Sequence, residues 1–322
     1  MCLVALAIDQ AQRFPLVVAA NRDEYFKRPT ARLAWWSPGD GLPDILSGRD
    51  LEAGGTWFGI TAAGRMALLT NVREPGRNQP DAPSRGSLVP LWLAGEMSSD
   101  RYWPRAVIAG HNGFNLIAAD FRMGECFYLS NRGDYPQRLE RGLYGLSNAA
   151  LDTPWPKVDR LKLRLRAALG EADTVGSLCE SLFAALADRE IPPDEQLPAT
   201  GVPLAWERLL APAMIRTPDQ AYGTRCSTVM ITERTKRRLI THVFERSFSV
   251  DSNLALVRHS VLDDWPPKYA ANGSTGGPVT TQQQVSESSV AIDAAALTEP
   301  PVRKRVRSLL KPEPARRRRK PG

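Results

Sequence analysis

The stretch MCLVALAIDQAQRFPLVVAANRDE, residues 1–24, decides the fold class. Cys2–Ile8 is a dense apolar run rich in Val, Leu and Ile, Asp9–Arg13 is polar, and Phe14–Asn21 is apolar again. Two such runs across a short polar gap predict a β-hairpin of buried strands. Asn21-Arg22-Asp23-Glu24 closes the second strand, so the tetrapeptide returns toward Cys2.

The same signature recurs along the chain. Gly54–Ile60 and Met66–Asn71 flank the turn Ala62-Ala63-Gly64; Asn115–Asp120 and Cys126–Ser130 flank Met123-Gly124; Thr228–Thr232 and Leu239–Phe244 flank Lys236-Arg237. Helices are predicted over Ser87–Leu93, over Pro156–Leu169 with Gly170 as its end, and over Thr174–Ala187. Consecutive hairpins imply antiparallel sheets, and helices in separate groups must cover outer faces. The expected class is α+β, a four-layer αββα sandwich.

The formal net charge is +7, but residues 251–322 hold 12 basic against 7 acidic residues, leaving 30 against 28 for residues 1–250. A nucleic-acid-binding domain carries its basic footprint on the fold itself, so nucleic acid is not expected as a partner of the folded part. Residues 1–250 are read as one domain. Residues 251–322 are read as a low-complexity basic tail: Asn272–Ser289 lacks periodicity and the end is Pro-rich and basic, so the tail is expected to be disordered. A short helix over Arg303–Leu310 is compatible with its composition, and the basic end suits either an anionic surface or plain solvation. Cys2, Cys126, Cys179 and Cys226 show no CxxC spacing, which argues against a zinc site or a disulfide framework and fits a reducing compartment. No basic segment precedes the apolar start, and no apolar run approaches the ~18 residues that span a bilayer. A cytoplasmic protein without a membrane span is expected.

Cys2 carries the sharpest chemical signal. Removal of Met1 would leave its α-amine free, with a pKa of about 7.7–8.0. The amine could then take the proton of the same residue's thiol, making one residue both nucleophile and base. A small apolar residue opening a buried strand is the competing reading of Cys2.

With Asn21–Glu24 in view, the chain resembles the NRDE family, named for this tetrapeptide, whose animal members include the Transport and Golgi organisation proteins. The resemblance runs through Met1-Cys2, Ser47-Gly48-Arg49-Asp50, Gly54-Gly55-Thr56-Trp57, Thr70-Asn71, Ser84-Arg85-Gly86, Gly145-Leu146-Ser147-Asn148 and Tyr222-Gly223-Thr224-Arg225, fading near Phe248. More distantly the landmarks are similar to the penicillin V acylases and bile-salt hydrolases, which are N-terminal-nucleophile hydrolases. That resemblance implies catalytic positions at Cys2, Asp23, Asn71, Asn148 and Arg225. Asp23 would hold the Cys2 amine, Asn71 would donate to an oxyanion, Asn148 would assist or orient substrate, and Arg225 would lower the thiol pKa or pair with an acidic group.

One departure stands out. The distant group has an Arg three residues before the Asp, where this chain has Ala20. Arg22 shares a strand face with position 20 and is read as a substrate-binding approximation to it or as a structural ion-pair residue. Trp57 is a second candidate for substrate binding, with Trp35 and Trp36 read as pocket lining or core. Glu24, Arg49 and Asp50 are read as a structural network or part of the site. No metal site and no required cofactor are expected.

Three functions compete. The first is a cysteine hydrolase of non-peptide C–N bonds in a small-molecule substrate. The second, implied by the family's association with haem handling, is a carrier that binds haem or a lipid-like ligand without turnover. The third is an adaptor working through its basic tail. The sequence adds little for haem: it has His111, His242 and His259, but no CxxCH and no Cys-Pro.

Overall fold

The computed structural model describes residues 2–251 and 253–267, and residues 288–290 as backbone. The opening hairpin is β1 (Cys2–Ile8) against β2 (Leu16–Tyr25), with Cys2 directly opposite Arg22. Then come β3 (Thr30–Trp36), β4 (Ile45–Asp50), β5 (Phe58–Thr61) and β6 (Arg65–Asn71), two helices, α1 (Leu88–Ala94) and α2 (Ser99–Ile108), and the strands β7 (Phe114–Asp120), β8 (Glu125–Ser130), β9 (Gln137–Arg138) and β10 (Gly142–Leu146). The second half contains α3 (Pro156–Glu171), α4 (Val175–Leu186), α5 (Leu204–Leu210), β11 (Tyr222–Arg234), β12 (Leu239–Phe248), β13 (Leu254–Asp263) and β14 (Ser288–Val290).

The strands form two antiparallel sheets, in the orders β10-β1-β2-β11-β12-β13-β14 and β3-β4-β5-β6-β7-β8-β9. Alternation along β1 and β2 divides their side chains between two apolar layers. Val4, Leu6, Leu16 and Val18 enter the core between the sheets with Leu46, Ile60, Leu68 and Met230. Leu3, Ala5, Val17 and Ala19 face α3 and α4 through Leu161, Leu165, Leu178 and Leu182. On the other sheet, Ala67, Leu69 and Leu116 pack against Trp92 of α1 and Tyr102 of α2. The Trp92 indole donates to the carbonyls of Met66 and Ala119, fixing α1 on that sheet. The order of layers is helix, sheet, sheet, helix, as expected.

The boundaries of the three expected helices shift by a turn or less, whereas β11 begins six residues before the expected Thr228. Thr174 caps α4, accepting from the Ser177 amide in a reciprocal capping box. Gly170 does not end α3, whose closing bond runs from the Ala172 amide to the Ala168 carbonyl.

The described fold continues past residue 250, where the sequence placed the end of the domain. β13 pairs with β12 over Ile240–Phe248. Trp265 is fully buried and its indole donates 2.8 Å to the Thr61 carbonyl of the opposite sheet. Thr241 Oγ1 donates to the Trp265 carbonyl at 2.7 Å, and Arg258 reaches the Leu33 carbonyl at 2.9 Å. β13 therefore closes one end of the inter-sheet core. Its side chains are mostly half-buried, so its sequence lacks the dense apolar signature of β1 and β2. The Pro-rich basic end, with the helix expected over Arg303–Leu310, lies outside the described residues, as does most of Asn272–Ser289. Among the described residues no helix is long and apolar enough to cross a membrane.

Candidate functional site

Three strands bring the first chemical groups together. Arg22 lies opposite Cys2 on one side and opposite Cys226 of β11 on the other, so these side chains share the face between the sheets. Asp23 takes the other face and stands opposite Thr224. A cavity of about 460 Å³ opens where these strand ends meet the second sheet, and Cys2, Arg22, Asp23, Trp57, Asn71 and Arg85 are among its lining residues.

Each member is held by identifiable contacts. The Arg22 guanidinium stacks 4.2 Å from the Trp57 ring centroid and donates 3.1 Å to Thr30 Oγ1. It also lies 3.6 Å from Asp50 and 3.9 Å from Glu24. Arg22 therefore lines the cavity while its charge faces two carboxylates of the protein. Asp23 is buried, and its Oδ1 accepts from Thr224 Oγ1 at 2.7 Å. Thr224 is in turn fixed to Ile215, giving its amide to the Ile215 carbonyl and accepting the Ile215 amide on Oγ1, both at 2.9 Å. Asn21, the first residue of the tetrapeptide, bridges outward to the Leu186 and Ala213 carbonyls and does not line the cavity.

Asn71 ends β6 with its carboxamide on the cavity and no side-chain hydrogen bond among the described residues, which leaves its N–H available to an incoming oxygen. Asn148 does something else. Its Nδ2 donates 2.8 Å to the Asn71 carbonyl and its Oδ1 accepts from Ser147 Oγ, whose hydroxyl also reaches the Cys2 carbonyl at 3.0 Å. Both ends of its amide are committed, so Asn148 positions Asn71 and Cys2 and is not itself presented to a ligand.

Arg225 does not join the group, which corrects the expectation that it faces Cys2. The pairing of β11 with β2 shifts register between Thr224 and Cys226, leaving Arg225 as the extra residue of a bulge. Its guanidinium donates to the Tyr25 and Arg28 carbonyls at 2.8 and 3.0 Å. It lines a second cavity of about 120 Å³ with Arg32, Cys226 and Glu245, and Trp57 lines both cavities. Arg49 stacks on Trp36 at 4.4 Å and binds the Gly54 carbonyl, away from Cys2, whereas Glu24 and Asp50 line the main cavity. Trp35 and Trp36 pack against apolar clusters, leaving Trp57 as the cavity tryptophan.

Electrostatics are set by burial. Burial pushes the Cys2 thiol above its ordinary value, Asp23 adds to that push and Arg22 opposes it. Burial likewise raises Asp23, against the pull of Lys157, Thr224 and Arg73. Lys157 is buried with Nζ donating to the Leu210 carbonyl, and burial takes its pKa down to about 8. Cys126 and Cys179 are pushed up to about 12 and Cys226 well above the ordinary thiol value, all by burial. No histidine lines the main cavity, and among the described residues no group of three or more His, Cys, Asp or Glu is placed to hold a metal ion.

The residues missed from the sequence are Thr224, Lys157 and Arg85. Thr224 stands beside Arg225 in the quoted Tyr222–Arg225 motif and Arg85 is central to Ser84–Gly86, so the signal was present without an assignment. Lys157 looks like any basic residue in the first turn of a helix; only its burial distinguishes it.

Comparison with known proteins places the chain. Among solved structures, the fold overlaps an N-acylethanolamine-hydrolyzing acid amidase orthologue of Caenorhabditis elegans over 71% of this chain and 92% of that one, with 14% identity and a TM-score of 0.39. It also overlaps a C2A mutant conjugated bile acid hydrolase of Clostridium perfringens over 84% and 99%, with 9% identity and a TM-score of 0.39. The chain is 37% identical over 252 residues to the Transport and Golgi organization protein 2 homolog of Bos taurus, covering 72% of this chain and 89% of that protein. It is 34% identical over 250 residues to the human homolog, with the same coverages. The family model described as Transport and Golgi organisation 2 matches residues 1–249, which span every strand and loop that lines the Cys2 cavity. The chain belongs to the Transport and Golgi organisation 2 family.

Proposed function

We propose that this protein is a cysteine amidohydrolase that cleaves a non-peptide C–N amide through Cys2. The observation that carries the proposal is the sharing of one cavity by Cys2, Asp23 and the uncommitted carboxamide of Asn71. With Met1 removed, the α-amine of Cys2 is the base. It takes the thiol proton as sulfur attacks the substrate carbonyl carbon, and the Asn71 N–H stabilises the oxyanion. The amine then gives that proton to the leaving nitrogen, the C–N bond breaks and a thioester remains. Water, deprotonated by the same amine, attacks the thioester carbonyl and releases a carboxylate and the free thiol. Asp23 orients the amine, and Thr224 orients Asp23. The burial that raises the Cys2 thiol keeps it protonated until the amine and a substrate are both in place. Four free cysteines support a cytoplasmic, reducing setting. Where the carrier reading would need an axial donor, Cys2 is the one cysteine or histidine among the described residues lining the cavity.

Intact-mass measurement with and without a thiol-directed acylating probe tests the proposal. Met1 is expected to be absent, with one adduct forming rapidly on Cys2 and none on the Cys2→Ser variant. Retention of Met1, or labelling of Cys2 no faster than Cys179, would remove the hydrolase reading and leave Cys2 as a strand residue of a carrier.

A further inference from the structure

The two glycine-containing motifs beside the cavity are locked together. Gly55 lies so close to the neighbouring backbone that a Cβ there would sit 2.3 Å from the Gly86 carbonyl oxygen, and the Thr56 amide donates to that same oxygen at 3.1 Å. Only glycine permits this approach. Ser87 folds its hydroxyl back onto the Ser84 carbonyl at 2.7 Å, tightening the turn. The consequence is a fixed position for the residue between them, Arg85, on the wall of the Cys2 cavity.

Among the described residues three arginines line that cavity, and two face carboxylates of the protein itself. Arg22 is held by Asp50, Glu24 and the Trp57 face. Arg28 is bound to Asp50 and Glu52, each at 2.7 Å. Arg85 differs. Its one hydrogen bond among the described residues runs from a single guanidinium nitrogen to the Gly113 carbonyl at 3.1 Å, and no described carboxylate lies within ion-pair distance. A guanidinium has five N–H donors in a planar fork that matches carboxylate and phosphate oxygens. Most of that fork therefore has no partner among the described residues. The group is half-buried beside Cys2, where a paired anion is screened less than at the surface. The carboxylates nearest the opening do not take its place: Glu52 is exposed and Glu24 is occupied by its own neighbour's amide.

We propose that Arg85 is the anion-receiving residue of the Cys2 cavity, and that the substrate is a small polar amide carrying a carboxylate or phosphate. This inference rests on the amidohydrolase reading for the word substrate, but the binding claim stands separately. An anion held by Arg85 would place the rest of the molecule across the cavity toward Cys2 and Asn71. The apolar part of the lining is confined to a few residues such as Trp57, Leu69 and Pro83, which suits a compact ligand.

The test compares two alkylating reagents that differ in charge. Iodoacetate, an anion, and iodoacetamide, neutral, both form an S–CH₂ bond at a thiolate with loss of iodide. In the processed full-length protein, the rate ratio of iodoacetate to iodoacetamide at Cys2 is expected to exceed the ratio for the same cysteine in the unfolded chain by about tenfold, the scale of one charge-assisted hydrogen bond. Arg85→Gln should bring the ratio to the unfolded value while leaving the iodoacetamide rate within a factor of about three, and Arg85→Lys should keep part of the preference. An unchanged ratio in Arg85→Gln overturns the proposal. If neither reagent reaches Cys2, the amidohydrolase reading fails, and a second measurement decides Arg85 alone. Inorganic phosphate and acetate are titrated against sodium chloride of equal ionic strength, with melting temperature as readout. Stabilisation of the wild type by either anion, absent in Arg85→Gln, sustains the inference and shows which anion is preferred. Equal responses in both proteins, or none in either, overturn it.

Discussion

The side-chain amide of Asn148 donates from Nδ2 to the carbonyl oxygen of Asn71 at 2.8 Å, joining the loop after β10 of one sheet to the end of β6 in the other. Its neighbour Ser147 holds the Cys2 carbonyl, so a single dipeptide sets the distance between the nucleophile and the proposed oxyanion donor.

Asn148→Ala leaves the partly buried Asn71 carbonyl without its donor, and the folded state is expected to lose about 1 kcal/mol, the low end of the cost of an unsatisfied group. Asn148→Asp should lose a similar amount, since a carboxylate cannot donate. Urea midpoints measure both. On the hydrolase reading, kcat falls more than KM rises, because Asn148 touches Asn71 and not the ligand.

Truncation after Val250 removes β13 and Trp265 and is expected to abolish cooperative unfolding, whereas a chain ending at residue 267 keeps that strand and indole. Trp265→Ala isolates the anchor and should cost about 3–5 kcal/mol, the range for deleting a buried aromatic. A melting temperature unchanged by the Val250 truncation would mean that β13 contributes nothing to the core it covers.

Thr224→Val removes the hydroxyl that donates to Asp23. Burial already holds the Asp23 carboxyl above its ordinary value of 3.8, so the folded state binds a proton there that the unfolded state releases. By linkage this group's contribution to stability falls as pH rises through that window. Without the hydroxyl the folded value climbs further and the fall extends to higher pH. Melting temperatures of the variant and wild type, measured from acid to neutral pH, should separate progressively as pH rises.

His259 stacks on Phe244 at 4.0 Å and lies 3.2 Å from His242 through ring nitrogens. Burial takes its pKa from 6.5 down to about 4. Between these values the unfolded state binds the proton and the folded state does not, so stability rises with pH across the window and drops on acidification. His259→Phe should flatten that acid limb, seen as a smaller loss of melting temperature between neutral pH and pH 4. An acid limb as steep as the wild type's would show that other groups set it.

Much of the architecture was legible in residues 1–250 alone. Apolar runs of strand length, separated by short polar turns, have few ways to bury both faces, and the segments that form α3 and α4 were legible as helices over Pro156–Leu169 and Thr174–Ala187. Pattern also placed Cys2, Arg22 and Asp23 near one another, because a hairpin pairs its ends. Tertiary structure decided what pattern cannot express. A bulge of one residue at Arg225 turned a cation expected beside Cys2 into a backbone clamp, since adding one residue to a strand re-aims the side chain at the bulge. β13 was invisible as a core strand because half-buried positions leave no dense apolar run, and its anchor, Trp265, acts through a contact to Thr61, 204 residues away in sequence. Arg85 could be named as part of a motif, but its availability depends on which carboxylates reach the other two cavity arginines. That is a property of distances between strands, and a linear sequence does not contain it.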